Sequence, residues 1–112
     1  MMSNQQELMI IVGTPAEAVN QVLDAIAGAG GGIIGNYSHC AFVSSGQGQF
    51  KPSAAANPHV GDIDHVNSVD EMQIQTFCSQ AVAKAVVQAI RASHPYEEPV
   101  IYLVPLLSEN DL

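Results

Sequence analysis

Short apolar runs and helix-spaced apolar positions alternate along the chain, and their order predicts its elements. Leu8-Met9-Ile10-Ile11-Val12 is continuously apolar and stops at Gly13, which predicts a strand buried on both faces. Thr14-Pro15-Ala16-Glu17 predicts a helix start, with Thr14 as cap, Pro15 at the first helical position and Glu17 completing a capping box. Val19, Leu23 and Ile26 then recur at helical spacing, and Gly28 with Gly30-Gly31-Gly32 stops the helix. Ile33 to Ser45 reads as a second extended segment with a bulge or turn near Gly35-Asn36. Gly46-Gln47-Gly48 reads as a turn into a short return strand at Gln49-Phe50. From Lys51 to Asn67 no period of 2 or 3.6 is visible among many Pro, Asn, Gly and Asp residues. A loop of that length in a compact domain is usually functional or mobile.

Glu71-Met72-Gln73-Ile74-Gln75-Thr76 alternates cleanly, as a half-buried strand does. Ser79 is placed to cap a second helix whose stripe is Val82, Val86, Ala89 and Ile90, and Pro95 ends it. Val100 to Val104 is a last apolar strand that Pro105 closes. The order β-α-β-β-α-β predicts an α+β, ferredoxin-like sandwich with a four-stranded antiparallel sheet and both helices on one face. One domain fills residues 1–112, with its core at about 7–106 and a long loop at 51–67. The first and last strands carry apolar residues in both directions, so the face without helices is expected to be buried in a closed homo-oligomer.

Composition sharpens this expectation. Of 112 residues, 47% are hydrophobic and only 12% charged, against about 25% charged in a typical soluble domain. Surface that becomes interface needs fewer charges to keep it wet. The net charge is −8, with Lys51, Lys84 and Arg91 as the only cations besides histidine. So few cations exclude non-specific binding to nucleic acid or to an anionic membrane surface. No apolar run is long enough to span a bilayer, and Met1 to Glu7 has no signal-peptide pattern. Cys40 and Cys78 read as reduced thiols of a cytoplasmic protein.

Candidate chemistry gathers at two places. Tyr37, His39 and Cys40 lie together in the second extended segment, where neighbouring side chains point to opposite faces. His94-Pro95-Tyr96-Glu97-Glu98-Pro99 sets an imidazole, an aromatic ring and two carboxylates between prolines. The bland reading of that stretch is a stiff helix-to-strand connection. The functional one is a small polar pocket or cation site. His39, His94, Glu97 and Glu98 are the candidate ligands for a divalent metal ion, although neither cluster has ordinary zinc-site spacing. Gly30-Gly31-Gly32 follows a helix, whereas a phosphate cradle precedes one. Contiguous Ser38-His39-Cys40 makes no catalytic triad, and adjacent Glu97-Glu98 makes no glycosidase pair.

Four stretches carry a resemblance: Gly32 to Phe42, Gly46 to Pro52, Ala56-Asn57-Pro58, and His94 to Pro99. In this order, over roughly Glu7 to Leu106, the chain resembles the inserted middle domain of the NGG-interacting-factor-three-like family. The resemblance implies a fold like that of trimeric CutA and the PII signalling proteins, and hence a trimer. It also implies that the two-metal site of full-length family members lies in flanking domains. None of its ligands can be placed on this sequence, so no metal-dependent hydrolase activity carries over. The expectation is a non-enzymatic oligomeric ligand-binding or regulatory module, whose loop 51–67 meets a protein or small-molecule partner. The alternative is a metal-binding protein using His39 and Cys40, or His94, Glu97 and Glu98, at subunit clefts. Because the second and fourth strands of this topology lie on opposite edges, a site shared by both clusters would need two chains.

Overall fold

The structure is a computed structural model and describes residues 6–112. Four strands form one antiparallel sheet: β1 (Glu7–Thr14), β2 (Phe42–Phe50), β3 (Asn67–Ser79) and β4 (Ile101–Pro105), in the order β2-β3-β1-β4. Helix α1 (Val19–Gly28) follows β1, and α2 (Ala83–Ser93) follows β3. The predicted βαββαβ order and the opposite-edge placement of β2 and β4 both stand. Among the described residues no helix is long and apolar enough to cross a membrane.

The core lies between the helices and one face of the sheet. Leu8, Ile10 and Val12 of β1 and Ile74 and Cys78 of β3 meet Val22 and Ile26 of α1 and Val86 and Ile90 of α2, all buried. Burying each aliphatic side chain of this size contributes about 1.5–3 kcal/mol. The other face is uncovered, with apolar residues on β1 and β4 and the exposed Gln73 and Gln75 on β3. There β1 alternates rather than burying both sides, and Met9 and Ile11 are half-buried. Phe42 is 70% exposed and Tyr102 60% exposed, and Val104 is also exposed. The register sets Val104 opposite Met9 and Tyr102 opposite Ile11, so they continue one apolar surface.

Several boundaries differ from the sequence reading. Ile33–Ala41 is a loop, not an extended segment, and β2 begins at Phe42. Gly32, Gly35 and His39 all have positive φ, which breaks a strand, and Ile34 and Tyr37 form an isolated bridge. The loop is tied at its base, where the Cys40 N–H donates to the Gly32 carbonyl at 2.9 Å and the Thr76 hydroxyl to the Cys40 carbonyl at 2.7 Å. Gly46-Gln47-Gly48 is not a turn: β2 runs through it, with Gly46 paired to Glu71 and Gly48 to Val69. The third strand is longer than its alternating part, so the loop ends at Val66.

The helix starts also differ. Pro15 occupies the cap position of a 3-10 turn, Ala16–Ala18, that leads into α1, and no side chain caps it. Thr14 is fully buried in β1, so its hydroxyl does not reach the helix N–H groups. Ser79 stands at the cap of a second 3-10 turn, Gln80–Val82, again without a side-chain bond. The predicted stripes hold at Ile26, Val86 and Ile90; Val22 and Ala83 join them as buried residues, and Val19, Leu23 and Val82 pack partly buried against the core.

Candidate functional site

The predicted candidates fall into two separate places. His39 sits in the Ile33–Ala41 loop with φ 58°, so the picture of His39 and Cys40 on opposite faces of a strand does not apply. Its Nε2 lies 2.9 Å from Asp24 Oδ1 on α1, and its Nδ1 lies 2.9 Å from Ser38 Oγ. Both partners of the Asp24 pair are exposed, and an exposed ion pair contributes roughly 0–1 kcal/mol. Cys40 Sγ points to the Ser38 carbonyl, and Tyr37 is 75% exposed. Nothing here encloses a ligand.

The His94–Pro99 connection is different, because its residues are held against the sheet. His94 is buried. Its Nε2 lies 2.6 Å from the Gly13 carbonyl, which can only accept, and its Nδ1 lies 3.0 Å from the Tyr96 N–H, which can only donate. These two bonds specify the Nε2–H tautomer and use both ring nitrogens. The ring therefore has no lone pair left for a metal ion. Tyr96 packs on His94 with ring centroids 4.8 Å apart and lies 6.0 Å from His59 of the long loop.

Beyond Tyr96 lies a residue that the sequence reading placed only in an alternating strand, Glu71. It belongs to the part of β3 that runs past the end of β1, since Thr14 pairs with Met72. Its carboxylate occupies space that two glycines leave open. A Cβ on Gly13 would lie 2.8 Å from Glu71 Oε2, and one on Gly48 would lie 2.9 Å from it. The Tyr96 hydroxyl faces this carboxylate. Burial first, and the adjacent Glu71 charge second, push the Tyr96 phenol up to about 12.

Glu71 and Tyr96 open onto a cavity of about 390 Å³, within the roughly 300–1,000 Å³ of small-molecule sites. Phe50, Pro52, Pro58 and Val60 form its apolar wall. Glu97 and Glu98 also line it, and Lys51 and His59 reach it from the loop. Glu97 is anchored, because its Oε2 accepts the Asn57 N–H at 2.7 Å. Tyr96, Glu97 and Glu98 thus share one site, apart from Tyr37, His39 and Cys40, while His94 supports its wall from below. Among the described residues no group of three or more His, Cys, Asp or Glu side chains is gathered to hold a metal ion.

Glu71 was legible only through register. An acid in a strand is unremarkable until the pairing shows glycines beside it on both neighbouring strands.

Comparison with known proteins places these features. No protein-family profile matches the chain. It is 41% identical over 102 residues to a GTP cyclohydrolase 1 type 2 homolog of Halalkalibacterium halodurans, covering 91% of this chain and 27% of that protein. It is 42% identical over 97 residues to the protein of the same name from Bacillus subtilis, covering 87% and 26%. Among solved structures it resembles a Bacillus cereus protein related to NIF3, with a TM-score of 0.81 and 31% identity over 96% of this chain and 27% of the other. The divalent cation tolerance protein CutA of Archaeoglobus fulgidus shares the fold, with a TM-score of 0.66 at 13% identity over 91% of this chain and 85% of that one. The chain spans about a quarter of the length of the curated relatives it matches, at 27% and 26%. Over that stretch it is similar to NIF3-related proteins, whose curated representatives here are named GTP cyclohydrolase 1 type 2 homologs.

Proposed function

We propose that the chain is a non-enzymatic, self-associating module. Copies of it close over the open sheet face, and the cavity beside Tyr96 takes a small ligand. One observation carries the reading: on the face without helices, Met9 and Ile11 of β1 and the exposed Tyr102 and Val104 of β4 pair into one uncovered apolar surface. At about 25 cal/mol per Å², leaving several hundred Å² of such surface in water is costly. A trimer is the closed form expected of this fold. The unpaired thiols of Cys40 and Cys78 suit a cytoplasmic setting.

The relatives' name speaks of GTP cyclohydrolase chemistry. Glu71, Glu97 and Glu98 in the cavity wall would repel a triphosphate, so we do not assign that chemistry to this chain. Light scattering on the purified chain at micromolar concentration tests the assembly. A mass of three chains is expected, and a stable monomer would overturn the reading.

A further inference from the structure

We infer that the cavity between the 51–60 loop and the Tyr96–Val100 connection binds an aliphatic di- or polyamine. One ammonium group would sit at Glu71 and another at Glu97 and Glu98. The inference rests on the ligand-binding reading above and names the class of ligand.

The first support is how Glu71 is placed. Its carboxylate is let in against the backbone by the missing side chains of Gly13 and Gly48, and Tyr96 closes over it. Among the described residues no cation pairs with it, and the ion pair is His39 with Asp24, in a different loop. A carboxylate so positioned, and left without a counter-charge, matches a cation from outside. Lys51 is the one permanent cation on the cavity wall, against Glu71, Glu97 and Glu98.

The second support is the spacing of the acids. Glu71 is fixed on β3, whereas Glu97, on the connection before β4, is tied to the Asn57 N–H of the long loop. These groups line one cavity, yet among the described residues they do not converge as a metal ion requires. A ligand that satisfies them carries its positive charges apart, on a body several atoms long. The third support is the wall between them. Phe50, Pro52, Pro58 and Val60 offer apolar surface suited to methylene groups, and the ring of Tyr96 attracts an ammonium group electrostatically. An anion fails on charge, and a purely apolar ligand would cover the carboxylates without neutralising them.

Calorimetric titration of the full chain with spermidine in moderate salt tests this. Saturable binding at one site per chain is expected. Glu71→Gln should weaken it at least tenfold and Glu98→Gln several-fold, while Glu109→Gln in the C-terminal turn should leave it unchanged. Should Glu71→Gln not fold, Glu98→Gln decides, because Glu98 is exposed. Three outcomes overturn the inference: no binding at millimolar spermidine, equal loss in all three variants, or displacement by magnesium at matched charge. Light scattering on the same samples separates the two readings. An intact oligomer that ignores spermidine overturns the ligand class alone, and a monomer overturns the assembly alone.

Discussion

The imidazole of His94 donates to the backbone carbonyl of Gly13 at 2.6 Å, joining the end of α2 to the end of β1. The same ring accepts the Tyr96 N–H, so one side chain holds the connection that walls the cavity. His94→Phe removes both bonds and leaves two backbone groups short of partners. The expected loss is about 1–3 kcal/mol. Denaturant unfolding at one protein concentration checks it: the midpoint should fall with little change in slope.

Tyr96 should lose its proton near pH 12 rather than near the ordinary value of 10.0. Its folded form keeps a proton that the unfolded chain releases earlier. The resulting stabilisation is fully present below about pH 10 and is lost as pH rises toward 12. Phenolate absorbance in a Tyr37→Phe, Tyr102→Phe background isolates this group. Adding Glu71→Gln removes the facing negative charge and should bring the titration back down.

Gly48→Ala gives a sharper separation of site from fold. The new Cβ would meet the Glu71 carboxylate at 2.9 Å, and that is the far end of a flexible side chain. The carboxylate can move aside, and alanine orders the strand better than glycine, so stability should change by less than about 1 kcal/mol. The Tyr96 titration should nonetheless fall, because its charged neighbour has been displaced. Burial keeps part of the shift, so the fall is partial, and a titration that does not move at all would show that Gly48 does not set the carboxylate's position.

Tyr102→Lys with Val104→Lys places two charges on the open face without touching the helix-side core. The oligomer should dissociate, or weaken by orders of magnitude, while the circular dichroism of the fold persists. Light scattering over a range of concentrations reads the result. An unchanged mass would mean that copies meet elsewhere.

What the sequence disclosed follows from the range of each interaction. Periodicity is local, so β1, α1, α2 and β4 were visible in Leu8–Val12, the helical stripes and Val100–Val104. In the middle of the chain the local pattern misleads, because glycine serves two ends. At Gly32 and Gly35 it turns the backbone with positive φ, while at Gly46 and Gly48 it lies in a strand and makes room for a neighbour. Only the pairing with β3 tells these uses apart, and pairing is not written locally. For the same reason Tyr96, Glu97 and Glu98 could be named from the stretch between two prolines, whereas Glu71 could not. His94 was visible as a candidate ligand, but its two backbone partners, at Gly13 and Tyr96, give it a structural task.

The start of β1 and the end of β4 lie side by side. The Leu106 N–H donates to the Glu7 carbonyl at 2.9 Å, and Leu8 pairs with Pro105. A polypeptide built this way returns to its point of departure. It can be set into a surface loop of a larger protein as a pendant, with both connections leaving through one narrow neck and the host's own packing undisturbed.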